Sequence, residues 1–384
     1  MSRTSTPSPL VPDTAWLGRG RHLGPEPEQD VRRNLIALKA AGVLDDFLDL
    51  GPADAARSTV LHPRDADAVP GPAARRLFEA RWRPAEGVTV RAQLTTYDIE
   101  ARRKDGAPGV GWVLAAEAER AWDPRWPSPL TMFWPDSDTI PWDHDTVAGL
   151  RLRAPNPLPK DDDELRHLLR DCARQSWYVH VVVHEAMTPD ARGQRPLTAH
   201  LPPSLRHRVI EHRATPEQAQ IADFALRREL KSGMPRGGAV VLPTSPPPPG
   251  YDAEHFTVRN VFLDGSEQTE LLARIAEFAA FPRPLTAEAE QALTRLRKGW
   301  HLLTPDEELA HAQEMVTRYA EALDAMTKSR DLYREAAEAA QAALAEATGG
   351  DGVPRPPTAS AGKGEASPLS AFTKAFGRFR DTGK

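Results

Sequence analysis

Four carboxylates and an imidazole crowd ten residues of this chain: Asp136-Ser137-Asp138 and Asp143-His144-Asp145 bracket Pro141-Trp142. Hard divalent cations need several oxygens at about 2.0–2.6 Å, and such a loop can supply two or three. Asp136, Asp138, Asp143 and Asp145 are therefore the candidate metal ligands of a metal-dependent hydrolase. The competing reading makes them turn-forming and helix-capping aspartates in a proline-rich stretch. The spacing lacks the central glycine of a calcium loop, so the capping reading is preferred.

A second metal-like pattern is His180-Val181-Val182-Val183-His184. The β-branched run predicts a strand, on which His180 and His184 share a face but stand roughly 13 Å apart. One zinc ion needs both nitrogens within about 2.1 Å of itself, so these two do not share it. Position 188 is a threonine, where a zincin helix would carry its second histidine. The single cysteine, Cys172, lies in an apolar helical stretch beside Leu168 and Leu169 and reads as a buried thiol. No phosphate-binding glycine loop or nucleophile elbow occurs, and no cofactor is implied.

Nucleic-acid chemistry has one candidate. A helix expected over 203–213 carries Arg206, Arg208 and Arg213, and Thr215-Pro216-Glu217-Gln218 opens a second helix through Lys231. Strands at 239–243 and 255–263 follow, an order compatible with a winged helix-turn-helix. Glu211, Glu217, Asp223 and Glu229 dilute the positive face, so a solvated helical hairpin is the simpler account.

The elements that must position these residues are those of an α+β fold: a mixed, mainly antiparallel sheet domain with flanking helices, then a helical, coiled-coil C-terminal region and a disordered tail. Residues 1–27 are too rich in Pro, Ser and Thr to bury anything and read as a disordered arm. The α+β domain runs from 28 to 265. Helices are expected at 28–41, 72–82 and 161–175, and strands at 88–99, 110–118, 130–134 and 177–185. The loop Lys104-Asp105-Gly106 joins the first two strands as a hairpin. Trp122, Trp126, Trp134 and Trp142, set among prolines, read as pins holding irregular chain onto the core.

Composition adds limits. Net charge is −5, so the surface as a whole is not built for polyanions, and arginines outnumber lysines 40 to 9. One cysteine excludes an internal disulfide or a multi-cysteine zinc site. No run approaches membrane-spanning length, and a cytoplasmic location is expected.

From residue 266 the pattern is helical, with helices expected at 266–281, 287–298 and 305–347; the region 266–348 pairs a helical hairpin with a long coiled-coil helix. Its seam alternates three and four residues apart: Leu309, Ala312, Val316, Tyr319, Leu323, Met326, Arg330, Tyr333, Ala337, Ala340, Leu344, Ala347. Such a helix spans about 65 Å, too long for the preceding helix to cover beyond its first part. Residues 349–384 then form a flexible linker ending in a short amphipathic tail, with Phe372, Phe376 and Phe379 at helical spacing beside Arg378.

The favoured reading is a non-enzymatic assembly or adaptor protein. Self-association or a protein partner engages 309–347 through Leu323, Met326, Tyr333 and Leu344, and a protein groove or an anionic surface receives the tail at 370–380. Nucleic-acid binding through 203–263 and metal-dependent hydrolysis through the aspartates are the alternatives.

Overall fold

The computed structural model describes residues 9–22, 24–52, 74–98, 109–135, 150–174, 177–184, 196–259, 261 and 268–348. The chain divides into two compact units at Thr304/Pro305. The first is α+β and holds two five-stranded sheets.

The first sheet is antiparallel throughout, in the order β1 (Ala15–His22), β5 (Val110–Ala118), β4 (Val88–Asp98), β3 (Ala74–Ala85), β2 (Asp46–Leu50). Strands β4 and β5 lie where their alternating apolar residues predict. Strand β1 corrects the expectation of a disordered arm over 1–27. Trp16 is wholly buried on it, and Gly18 and Gly20 leave room for indoles. A Cβ at Gly20 would sit 2.6 Å from the Trp112 ring. Strand β3 replaces the helix expected at 72–82. Phe78, Ala80 and Trp82 are buried at alternate positions, the period of a strand. The helical reading arose because 78 and 82 also fall four apart. Helix α1 (Pro27–Ala40) buries Val31 and Leu35, as its pattern predicts.

Residues 130–134, expected as a strand, instead make one buried helical turn, α2 (Leu130–Phe133). Trp134 is fully buried and Trp126 nearly so, while Trp122 meets Trp126 edge-on at 5.5 Å, so these three rings do pin the segment.

The second sheet is mixed, in the order β10 (Thr257–Val258), β9 (Ala239–Val241), β7 (Val179–His184), β8 (Val209–Ala214), β6 (Asn156–Pro157). Strands β7 and β8 run parallel, with Val182 opposite His212. Strand β8 replaces the helix expected at 203–213; only Pro203–Leu205 coils, as a single 3-10 turn. Every residue of β8 is buried, because α3 (Asp162–Arg174) and α4 (Ala219–Leu230) cover one face of this sheet. Helix α5 (Thr269–Ala279) covers the other with Leu271, Ile275 and Phe278. Helix α6 (Ala287–Lys298) packs Leu293 and Leu296 into the core shared with the first sheet.

Glu79 of β3 ties the end of this unit down. Its buried carboxylate accepts the backbone N–H groups of His301 and Leu302, both at 2.9 Å, and the Gln93 amide at 3.1 Å. A buried carboxylate with this many donors is held in one geometry.

The second unit's described part is one helix, α7 (Pro305–Thr348), 44 residues long. Proline at its first position and Asp306, Glu307 and Glu308 in its first turn suit a helix start. No helix among the described residues is long and apolar enough to cross a membrane.

Candidate functional site

The seam of α7 is where the structure exposes apolar side chains most. Leu309, Val316, Tyr319, Leu323, Met326, Tyr333 and Leu344 leave 58, 68, 67, 65, 67, 76 and 67% of their surface in solvent. Exposure is even along the seam: the N-terminal half is as exposed as the alanine-rich half. Ion pairs Glu314–Arg318 (2.5 Å) and Asp324–Lys328 (2.8 Å) bind the polar side of the helix one turn apart. The positions flanking the seam are mostly small or uncharged: Gln313, Ala320 and Thr327 on one edge, Met315, Ala322, Ser329 and Ala336 on the other. A stripe of this kind lets a second helix approach closely.

The arginines chosen for nucleic-acid contact are placed otherwise than the helical reading requires. Arg208 is buried, and burial pulls its guanidinium down to about 10. Arg213 is buried in an ion pair with Glu211, whose carboxyl is raised by desolvation. Arg206 is half-buried, with Nε donating to the Leu201 carbonyl at 3.4 Å. These side chains lie on strand β8 and its approach rather than on a helix face, which corrects the helix expected at 203–213.

The basic surface of this region lies elsewhere. A cavity of about 830 Å³ opens beyond the C-terminus of α4, walled by Arg227, Lys231, Arg236 and Arg259 with Glu254 and Thr257. Arg227 is paired to Asp223 at 2.9 Å. Lys231, Arg236 and Arg259 are exposed and make no ion pair among the described residues. Lys231 holds a left-handed cap conformation (φ 55°), and Gly237 (φ 78°) turns the chain that brings Arg236 to the same wall. The sequence did carry a signal here, a basic residue at a helix end and Arg236 in a glycine-rich turn, but nothing in it places Arg259 beside them.

No family model, curated protein or solved structure matches this chain.

Metal-ligating side chains converge at one place among the described residues: Cys172 of α3, His180 of β7 and His212 of β8, all buried. His180 Nδ1 lies 3.1 Å from His212 Nε2, and Cys172 Sγ lies 3.7 Å from that same nitrogen. Burial lowers both imidazoles, His212 to about 4, and raises the thiol. His184 points to the same face of β7, as alternation predicts. The grouping escaped sequence reading because His212 was assigned to a helix. Asp136, Asp138, Asp143 and Asp145, and Phe372, Phe376, Arg378 and Phe379 of the tail, lie outside the described residues.

Proposed function

We propose that this protein is an assembly protein whose long helix α7 pairs with α7 of a second copy, antiparallel, leaving the α+β unit and the tail for other partners. The observation that carries this reading is the exposed seam on a formed helix. Seven large apolar residues there would contribute at least about 10 kcal/mol per chain on burial. That is enough to offset an association cost of about 4–15 kcal/mol when both chains contribute.

The order of the seam residues supports a second copy as the partner and an antiparallel direction. In a parallel, in-register pair Arg330 would face Arg330, and large residues would crowd one end while alanines thinned the other. Run antiparallel about the midpoint between Met326 and Arg330, the layers become Leu309 with Ala347, Ala312 with Leu344, Val316 with Ala340, and Tyr319 with Ala337. Each of these outer layers then joins one large and one small residue. At the centre, Leu323 meets Tyr333 and the Arg330 stem lies on Met326, with its guanidinium already bonded to Asp331 at 2.9 Å. On the flanking edges Gln313 falls near Gln341 and Thr327 near Thr327, so no like charges meet. Sedimentation of the full chain should give twice the chain mass, and Leu323→Asp should return it to monomer. A wild-type chain that stays monomeric at tens of micromolar sinks the proposal.

One observation favours a second reading, polyanion binding at the α4 cavity: three cations with no ion pair among the described residues share one wall. Its affinity for a fluorescent DNA duplex should fall steeply with salt and be lost in Lys231→Ala/Arg236→Ala/Arg259→Ala. Unchanged binding in that variant removes this reading.

A further inference from the structure

We propose that Cys172, His180 and His212 form a buried, three-coordinate site for monovalent copper. The donors come from three separate elements, α3, β7 and β8. His180 and His212 project from the α3-covered face of neighbouring parallel strands, offset by two residues in register. A trigonal ion held at about 2.0 Å from each nitrogen and about 2.3 Å from sulfur sets N···N at ~3.5 Å and S···N at ~3.7 Å. The two short sides of the observed triangle are 3.1 and 3.7 Å. All three donor atoms lie within 4.8 Å of one another, so closing the third side takes a side-chain shift on the order of 1 Å.

Without an ion this cluster is poorly satisfied. His212 Nε2 is shared between His180 Nδ1 and the Cys172 thiol, and the far ring nitrogens, His180 Nε2 and His212 Nδ1, are buried with no hydrogen-bond partner among the described residues. An ion at the centre gives each of the three atoms a partner.

Charge and coordination number choose the ion. Zinc is almost always four-coordinate, and no fourth His, Cys, Asp or Glu joins the group among the described residues. The donor set of one thiolate and two neutral imidazoles carries a single negative charge. Monovalent copper makes the buried site neutral overall, whereas Zn2+ leaves a positive charge in the core at a cost of several kcal/mol. A soft thiolate also favours monovalent copper. On binding, the Cys172 thiol proton leaves to solvent, a Cu–S bond forms, and the metal keeps its oxidation state.

The test uses the full chain, loaded anaerobically with Cu+ presented in excess reduced glutathione and then desalted. The expected result is one copper per chain, with an X-ray absorption shell of one sulfur and two nitrogens. Cys172 is the only cysteine of the chain, so a thiolate sulfur in that shell, with no glutathione left on the desalted protein by mass spectrometry, identifies it. Cys172→Ser and His212→Gln should each lower retained copper at least tenfold. Loaded wild-type protein should also melt higher than the metal-free chain, which reads binding even where a core variant fails to fold. Copper-free wild-type protein after loading overturns the proposal. So does a shell without sulfur, or zinc taken up in preference by the same residues.

Discussion

Leu114 and Leu323 carry the same side chain, yet one is wholly buried and the other 65% exposed. Leu114 sits on β5, where β1 and β4 flank it and α6 lies over the sheet. Leu323 sits on helix α7, whose apolar stripe stands in solvent. Apolar content therefore does not separate a core from an exposed stripe here. What separates them is whether the chain supplies its own cover. In the first unit even the charges are covered: Arg213 finds Glu211, and Glu79 finds four donors. In α7 the charges pair one turn apart along the helix and leave the stripe bare.

The comparison can be broken most sharply by Leu323→Asp. If the stripe is an interface, each pair of chains loses two buried leucines, roughly 3–6 kcal/mol of association, while the melting of the α+β unit stays put. Sedimentation beside calorimetry reads both. The converse change, Trp112→Ala, should cost the α+β unit about 3–5 kcal/mol through cavity formation and leave α7 self-association alone. A loss of association in Trp112→Ala would mean the two regions are not independent.

Acid should separate the regions as well. His212 is held neutral by burial at about 4, below its ordinary 6.5, and His207 at about 3. The unfolded chain binds those protons first as pH falls. Stability is therefore fully present above about 6.5 and is lost progressively below it, on the order of 3 kcal/mol for His212 alone by about pH 4. Urea midpoints at pH 7 and pH 5 measure this; equal midpoints would mean that these histidines are solvated. The smallest effect is expected at the α4 cavity. Replacing Lys231, Arg236 and Arg259 by alanine should leave the urea midpoint within about 0.5 kcal/mol of wild type, since surface substitutions disturb little.

The contrast also governs what the sequence made legible. Where apolar residues recur at strand or helix spacing, the pattern read through: β4, β5, α3, α6 and α7 lie where that spacing puts them. Strand β8 did not, because polar residues fill three of its buried positions. Its Glu211, His212 and Arg213 look like solvated helix residues, while in the fold they are buried against one another or against His180. Strand β1 hid behind Gly18 and Gly20, which weaken a strand pattern while serving Trp16 and Trp112. The exposed stripe that includes Leu323, Met326, Tyr333 and Leu344 was legible from its heptad spacing. The Cys172–His180–His212 grouping and the α4 cavity were not, since each depends on which strands and turns become neighbours.

The pairing of α7 is tested most directly by cysteine cross-linking in a Cys172→Ser background. Antiparallel pairing puts position 316 against position 340. A mixture of Val316→Cys and Ala340→Cys chains should form a disulfide-linked dimer on mild oxidation, and neither variant alone should. Cross-linking of Val316→Cys chains to themselves, or none in the mixture, would contradict the account.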